Sequence, residues 1–180
     1  MIDTVEIQRS LAVIERLAVA LCRHRDKFKM AVDISNSTVS IKFIAHPDDS
    51  RRLVGSGGAH ISEIATLAKA ALKESGKFVV IEDIESTNDA ATESKPFVSN
   101  EKWPKKEIES LLLDLGKACF PDRRVAIEAV DGERSTRMNL LVDTEHSFVD
   151  KFGKAVATLF RPLGKVAGRK IQADVKLYRV

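Results

Sequence analysis

Apolar residues near the start of the chain recur at helical spacing. Val5, Leu11, Ile14, Leu17, Ala18 and Leu21 fall on one side of a helix over residues 4 to 23, with charged residues between them. From Phe28 to Ile34 and from Val39 to Ala45 the period shortens to two, which predicts two strands joined by a tight turn at Ser35-Asn36-Ser37. His46-Pro47-Asp48-Asp49 stops the second strand and opens a short helix to Val54, because proline suits the first helical turn and carboxylates suit the positive end of the helix dipole. Ile61, Ile64, Leu67, Ala68, Ala71 and Leu72 trace one face of another helix; Gly76 ends it, and Phe78 to Ile81 form an apolar third strand.

The same order returns later in the chain. Ile108, Leu111, Leu112 and Leu115 mark a helix, strands follow at Val125 to Val130 and Met138 to Val142, then two helices, then a strand at Ile171 to Tyr178. Between the two runs, residues 85 to 103 are polar and without period, and Pro96 lies among them, so they read as a linker. The expected organisation is α+β in two tandem units, 1–84 and 104–180, around the linker 85–103. Each unit is a three-stranded sheet packed by helices in the order α-β-β-α-α-β.

Between the two helices of the first unit lies Gly55-Ser56-Gly57-Gly58, followed at once by Ala59-His60-Ile61-Ser62-Glu63-Ile64. Glycine at both ends of such a loop lets a sugar-phosphate chain approach the backbone without Cβ obstruction, and the helix that follows turns unpaired N–H groups toward an anion. In the second unit, Phe148-Val149-Asp150-Lys151-Phe152-Gly153 aligns with Leu53 to Gly58 on its apolar anchors and last glycine, with Asp150 where the first unit has Gly55. The second unit is therefore expected to carry a degenerate loop, Asp150-Lys151-Phe152-Gly153, between two helices.

This Gly-x-x-Gly-x-x-Ile-x-x-Ile stretch, behind a hairpin and an N-terminal helix, resembles the KH domain in its bacterial, type II arrangement. His46 to Ile84 is especially similar to the small single-KH RNA-binding proteins of bacteria (the KhpA type), and 104–180 resembles a degenerate KH fold through its element order. The resemblance implies a single strand of RNA, or of DNA, gripped at the loop, with about four nucleotides lying along the neighbouring groove. Mapped here, the RNA-binding residues are Gly55, Ser56, Gly57, Gly58, His60 and Ile61, with Arg51, Arg52 and Lys42 supplying the cation that Ser56 and Gly57 lack. Lys151, Gly153, Lys154 and Arg161 are the candidates in the second unit.

Charge sharpens this picture only modestly. The net charge is +3, and its surplus lies late: 15 basic and 11 acidic residues in 104–180, against 12 and 11 in 1–84. Lys151, Lys154, Arg161, Lys165, Arg169 and Lys170 crowd one region of the second unit.

Other chemistries find little footing. The glycine turn follows a helix rather than a strand and lacks the Gly-Lys-Ser/Thr or third glycine of nucleotide loops. Cys22 and Cys119 read as reduced core thiols, and the four histidines (His24, His46, His60, His146) as surface or turn residues without metal spacing. Asp48 and Asp49 read as helix caps, and no nucleophile with its base can be assembled, so no catalysis, cofactor or metal is expected. Neither a signal peptide nor a membrane span fits Leu11 to Cys22, and the expected location is the cytoplasm. The expected role is an RNA chaperone or post-transcriptional regulator. The competing expectation is a KH scaffold turned protein-interaction module, pairing with itself or with another RNA-binding protein, or docking on a ribonucleoprotein or transcription machine.

Overall fold

In a computed structural model of the protein, residues 4–87, 103–143, 146–163, 165–166 and 169–177 are described. The chain divides into two compact units, Met1–Glu101 and Lys102–Val180. Of the expected linker 85–103, only its first three residues and Trp103 fall among the described ones.

The first unit opens with α1 (Thr4–Leu21), whose inward face carries Ile7, Leu11, Ile14, Leu17, Ala18 and Leu21. Strands β1 (Lys29–Ile34) and β2 (Thr38–Ala45) form an antiparallel hairpin, and β3 (Phe78–Ser86) lies parallel to β2 in the order β1-β2-β3. A parallel neighbour demands a crossover, which α2 (Pro47–Val54) and α3 (Ala59–Ala71) provide. Val39, Ile41, Phe43 and Ala45 alternate inward along β2, and with Leu53, Ile64, Leu67 and Leu72 they form the core beneath α1. Helix α1 is tied to α3 by the buried Ser10 hydroxyl, which donates to the Ala71 carbonyl at 3.1 Å.

The third strand runs past its expected end at Ile81. Opposite Lys42 the pairing slips, so Ile41 faces Ile81 while Phe43 faces Ile84. This bulge at Glu82-Asp83 resets which residues point inward, and the apolar signal consequently skips from Ile81 to Ile84. Among the described residues of the first unit the helices cover one face of the sheet, and the other exposes Phe78 (76%) and Val80 (46%).

The second unit has α4 (Lys105–Cys119), the antiparallel strands β4 (Val125–Asp131) and β5 (Ser135–Val142), then α5 (His146–Phe160). A two-residue strand β6 (Lys165–Val166) pairs antiparallel with β7 (Arg169–Leu177), and β7 lies parallel to β5, giving the order β4-β5-β7-β6. Three long strands meet expectation; the short edge strand is additional. Ile108, Leu112 and Leu115 of α4, Phe152, Val156 and Leu159 of α5, and Met138, Leu140 and Val142 of β5 are all buried in the unit's core, with the rings of Phe120 and Phe152 edge to face at 5.0 Å. Gly116 fits this packing closely: a Cβ there would stand 2.8 Å from Val125 Cγ1 and 2.9 Å from the Leu140 methyls, so those side chains would have to shift.

One expectation fails here. Asp150-Lys151-Phe152-Gly153 is no loop between two helices but the interior of the continuous helix α5. Gly153 is buried, and a Cβ on it would reach to 3.4 Å from Asp174 Oδ1 and 3.8 Å from the Val175 backbone nitrogen. Its small size serves a close approach of α5 to β7, a different reason for glycine from a phosphate-binding turn.

Both cysteines are buried as thiols outside any disulfide. Burial pushes the Cys22 thiol up to about 12, with Asp49 adding to the rise, and burial likewise raises Cys119. These are inert thiols.

Candidate functional site

The glycine turn lies where expected. Helix α2 ends at Val54, Gly55 takes φ +73°, Ser56–Gly58 make one tight turn closed by the Gly58 N–H on the Gly55 carbonyl at 3.2 Å, and α3 starts at Ala59. Ser56 and Gly57 are exposed. Gly57 and Gly58 also have positive φ, and a Cβ at either would meet nothing within 4 Å. That emptiness leaves the backbone of the turn open to a ligand.

Gly55 is constrained from within. A Cβ there would lie 2.6 Å from Cγ and 2.8 Å from the backbone nitrogen of His60. The His60 ring folds back against Gly55, and its Nδ1–H donates to the Arg52 carbonyl at 2.6 Å, satisfying one of the acceptors left over at the end of α2. His60 is thus a clasp of the turn, with Nδ1 committed and Nε2 left over. Replacing Gly55 by alanine is expected to displace that ring and to cost about 2–3 kcal/mol, from a side chain at positive φ plus overpacking. Gly58→Ala, free of the clash, is expected to cost about 1 kcal/mol. Urea unfolding of the two variants checks the difference.

The other predicted contacts divide. Arg51 is exposed at the end of α2 beside the turn, and Ile61 is half-buried in the first turn of α3. Arg52 is drawn back toward α1: its Nε–H donates to the Leu21 carbonyl at 2.9 Å and stands 3.9 Å from Asp49. Lys42 is not part of this group. It projects from the sheet face opposite the core and is held by Glu85 at 2.6 Å, a hydrogen bond that raises its pKa. In the second unit Lys151, Lys154 and Arg161 are exposed while Gly153 is buried. Lys151 and Lys154, three residues apart, fall on one side of α5 by helical periodicity, and Arg161 opens the tight turn Arg161–Leu163 just beyond it.

Sequence reasoning missed a polar corner next to the turn. Asp49 is fully buried and does not cap its own helix: Oδ1 accepts the Arg23 N–H at 2.8 Å, and Oδ2 accepts the His24 N–H at 2.7 Å and its Nδ1–H at 3.1 Å. His24, expected at the surface or in a turn, lies in the connection after α1 yet is only 6% exposed, and its ring stacks on that of His46 with centroids 3.9 Å apart and planes 28° from parallel. His46 is the N-cap of α2, its Nδ1 accepting the Asp48 N–H at 3.3 Å. The available signal was a carboxylate beside Pro47 within an otherwise capped helix start; its partners lie 25 and 26 residues away.

Among the described residues no three His, Cys, Asp or Glu side chains are grouped to hold a metal ion, and no helix is long and apolar enough to cross a membrane.

No protein-family model matches the chain, and no curated protein matches it. Among solved structures, one titled "Crystal structure of APE1850" aligns over 97% of this chain and 100% of its own, at 16% identity and a TM-score of 0.28. A likeness at that score carries no argument about fold or activity.

Proposed function

We propose that the chain binds single-stranded RNA without catalysing a reaction, its first unit acting as a type II KH-like clamp whose grip is the Gly55–Gly58 turn. The observation that carries this reading is the open turn, with Ser56 and Gly57 exposed and nothing within 4 Å of where a Cβ on Gly57 or Gly58 would stand. The α-β-β-α-α-β order, with β3 parallel to β2 and the turn between α2 and α3, is also what the resemblance implies for that clamp. Backbone N–H groups at the start of α3 and the Arg51 side chain supply the attraction for phosphate. With Lys42 bound by Glu85 and Arg52 turned inward, the turn itself is nearly neutral, so affinity through it is modest.

In the second unit the attraction comes from the exposed cations of α5 and not from a glycine clamp. Affinity for a short single-stranded RNA, read by fluorescence anisotropy, is expected to fall linearly on a log–log plot against salt, with a slope of about −0.7 for each phosphate contacted. Lys151→Glu with Lys154→Glu is expected to weaken binding about tenfold at low salt and to flatten that slope by about one to two. Unchanged affinity at low salt would remove the second unit from the interface. An RNA chaperone or post-transcriptional regulator is the role in keeping with such binding.

A second reading has its own observation. Phe78 and Val80 expose apolar surface on the open face of the first sheet, which suits a protein partner better than a phosphate chain. Binding through that face would change little with salt, and Phe78→Ser would abolish it.

A further inference from the structure

Each sheet ends in two edges, and three of these four are blunted against pairing with another strand. β1 sets the exposed charges Lys29 and Asp33 along its edge, and β3 carries its bulge together with Glu82, Asp83 and Glu85. In the second sheet β6 covers the start of β7, and further along Asp174 Oδ1 accepts the Val175 N–H at 2.8 Å. β4 has none of these devices. Val125-Ala126-Ile127-Glu128-Ala129-Val130-Asp131 holds no lysine, arginine, proline, glycine or bulge, and among the described residues β5 is the one strand paired with it. We propose that this edge is the surface through which two copies of the chain associate, β4 of one pairing antiparallel with β4 of the other. The association needs no RNA and does not use the Phe78 and Val80 face.

The ladder with β5 fixes which groups the edge offers. The Gly132 N–H donates to the Ser135 carbonyl at 2.9 Å and the Asp143 N–H to the Arg124 carbonyl at 3.1 Å, both in register with the β4–β5 pairs. Hydrogen-bonded pairs alternate along an antiparallel ladder. Ala126, Glu128 and Val130 therefore direct their backbone groups to β5, while Val125, Ile127 and Ala129 turn theirs outward. An added strand satisfies those donors and acceptors, and Val125 and Ile127, half-buried in one copy, lose more apolar surface to it.

Charge makes the second copy the fitting partner and selects the register. A two-fold axis beside Ala126 sets Val125 opposite Ile127 of the second copy, and Arg124 opposite its Glu128, with the same pairs repeated in reverse across the axis. Arg124 and Glu128 are both exposed, and Glu128 is held in place by Asn139, whose Nδ2–H donates to its Oε2 at 2.8 Å. An axis beside Glu128 would instead set that carboxylate against its own copy, and one beside Ala129 would set Ile127 against Asp131. About four main-chain hydrogen bonds and an ion pair at each end make a weak dimer, with an expected Kd of about 10–100 μM.

Sedimentation equilibrium of the full chain over about 5–300 μM is expected to show monomer and dimer in exchange. Arg124→Glu and Glu128→Arg, each alone, oppose like charges at both ends and are expected to weaken association at least about tenfold. Mixed in equal amounts, the two variants form a pair with opposite charges at both ends, and association is expected to return to within about threefold of the wild type. Ala126→Cys gives a second test that leaves the charges alone. Cα atoms of directly opposed, non-hydrogen-bonded residues lie about 4.5 Å apart, so mild oxidation should link two copies, whereas Val130→Cys on the same face of the strand should stay unlinked. Cys22 and Cys119 are buried and do not compete. The pairing is overturned by a wild type that is monomeric throughout the range, by a dimer that both charge variants leave intact, by variants that stay monomeric when mixed, or by Ala126→Cys linking no faster than Val130→Cys.

Discussion

Asp49→Asn is expected to destabilise the first unit by about 3–5 kcal/mol, the range for breaking a buried charge network from one side. The substitution conserves volume, so the loss is electrostatic and not a cavity. Asp49 receives donors on both oxygens: Arg23 N–H on one, His24 N–H and Nδ1–H on the other. An asparagine offers one oxygen and turns an NH₂ group toward the remaining donors, leaving at least one buried N–H unpaired at about 1–3 kcal/mol each and opposing donor to donor. Arg52 makes the outcome worse, since its guanidinium, 3.9 Å from the carboxylate, loses its anionic partner. For a unit of this size each kcal/mol moves the midpoint by about 4–8 °C, so a drop of at least about 12 °C is expected by calorimetry. A midpoint within about 2 °C of the wild type would show that the corner contributes little to the fold. Asp48→Asn, at an exposed position, is the matched control and is expected to stay within about 0.5 kcal/mol.

What was legible in the sequence follows from which interactions are local. Helix α2 and the glycine turn were readable because proline at a first helical turn, acidic residues after it and consecutive glycines act through their own backbone. The strands β1 and β2 were readable for the same reason, since alternation is a local record of which face is covered. The β3 bulge was not, because one inserted residue breaks the period that identifies a strand, so Ile84 lost its link to Ile81. Nor was the meaning of Gly153. A glycine among apolar anchors fits a turn between helices and a contact between helix and strand equally well, and only β7, folded back beside α5, decides for contact. The Asp49 corner lay furthest out of reach: three of its donors come from residues more than twenty positions away, so a pair of aspartates after proline looked like ordinary caps. The candidate cations were obscured in the same way. Lys42 and Arg52 are near the turn in sequence or in element order, but Glu85 and the Leu21 carbonyl engage them.

The decisive expectation for the clamp concerns Ser56→Asp with Gly57→Asp, which should weaken single-stranded RNA binding by about 2–3 kcal/mol at low salt, or about thirtyfold to about 150-fold. The turn tolerates both changes. Ser56 is exposed, and a Cβ on Gly57 meets nothing within 4 Å, although φ +61° costs an L residue about 1 kcal/mol and less for aspartate than for most. Folding should therefore survive, which circular dichroism and the unfolding midpoint establish before binding is measured. Two carboxylates placed about 5–6 Å from a bound phosphate each oppose it by roughly 1 kcal/mol in a well-solvated setting and by more as water is displaced. The comparison with Gly55→Ala separates charge from shape: that variant adds no charge but displaces His60, so its deficit should persist at high salt while that of the two-aspartate variant shrinks. If the two-aspartate variant binds as the wild type does, the Gly55–Gly58 turn is not the grip. Binding must then lie with the cations of α5 if it is still salt-dependent, or with the Phe78 and Val80 face if it is not.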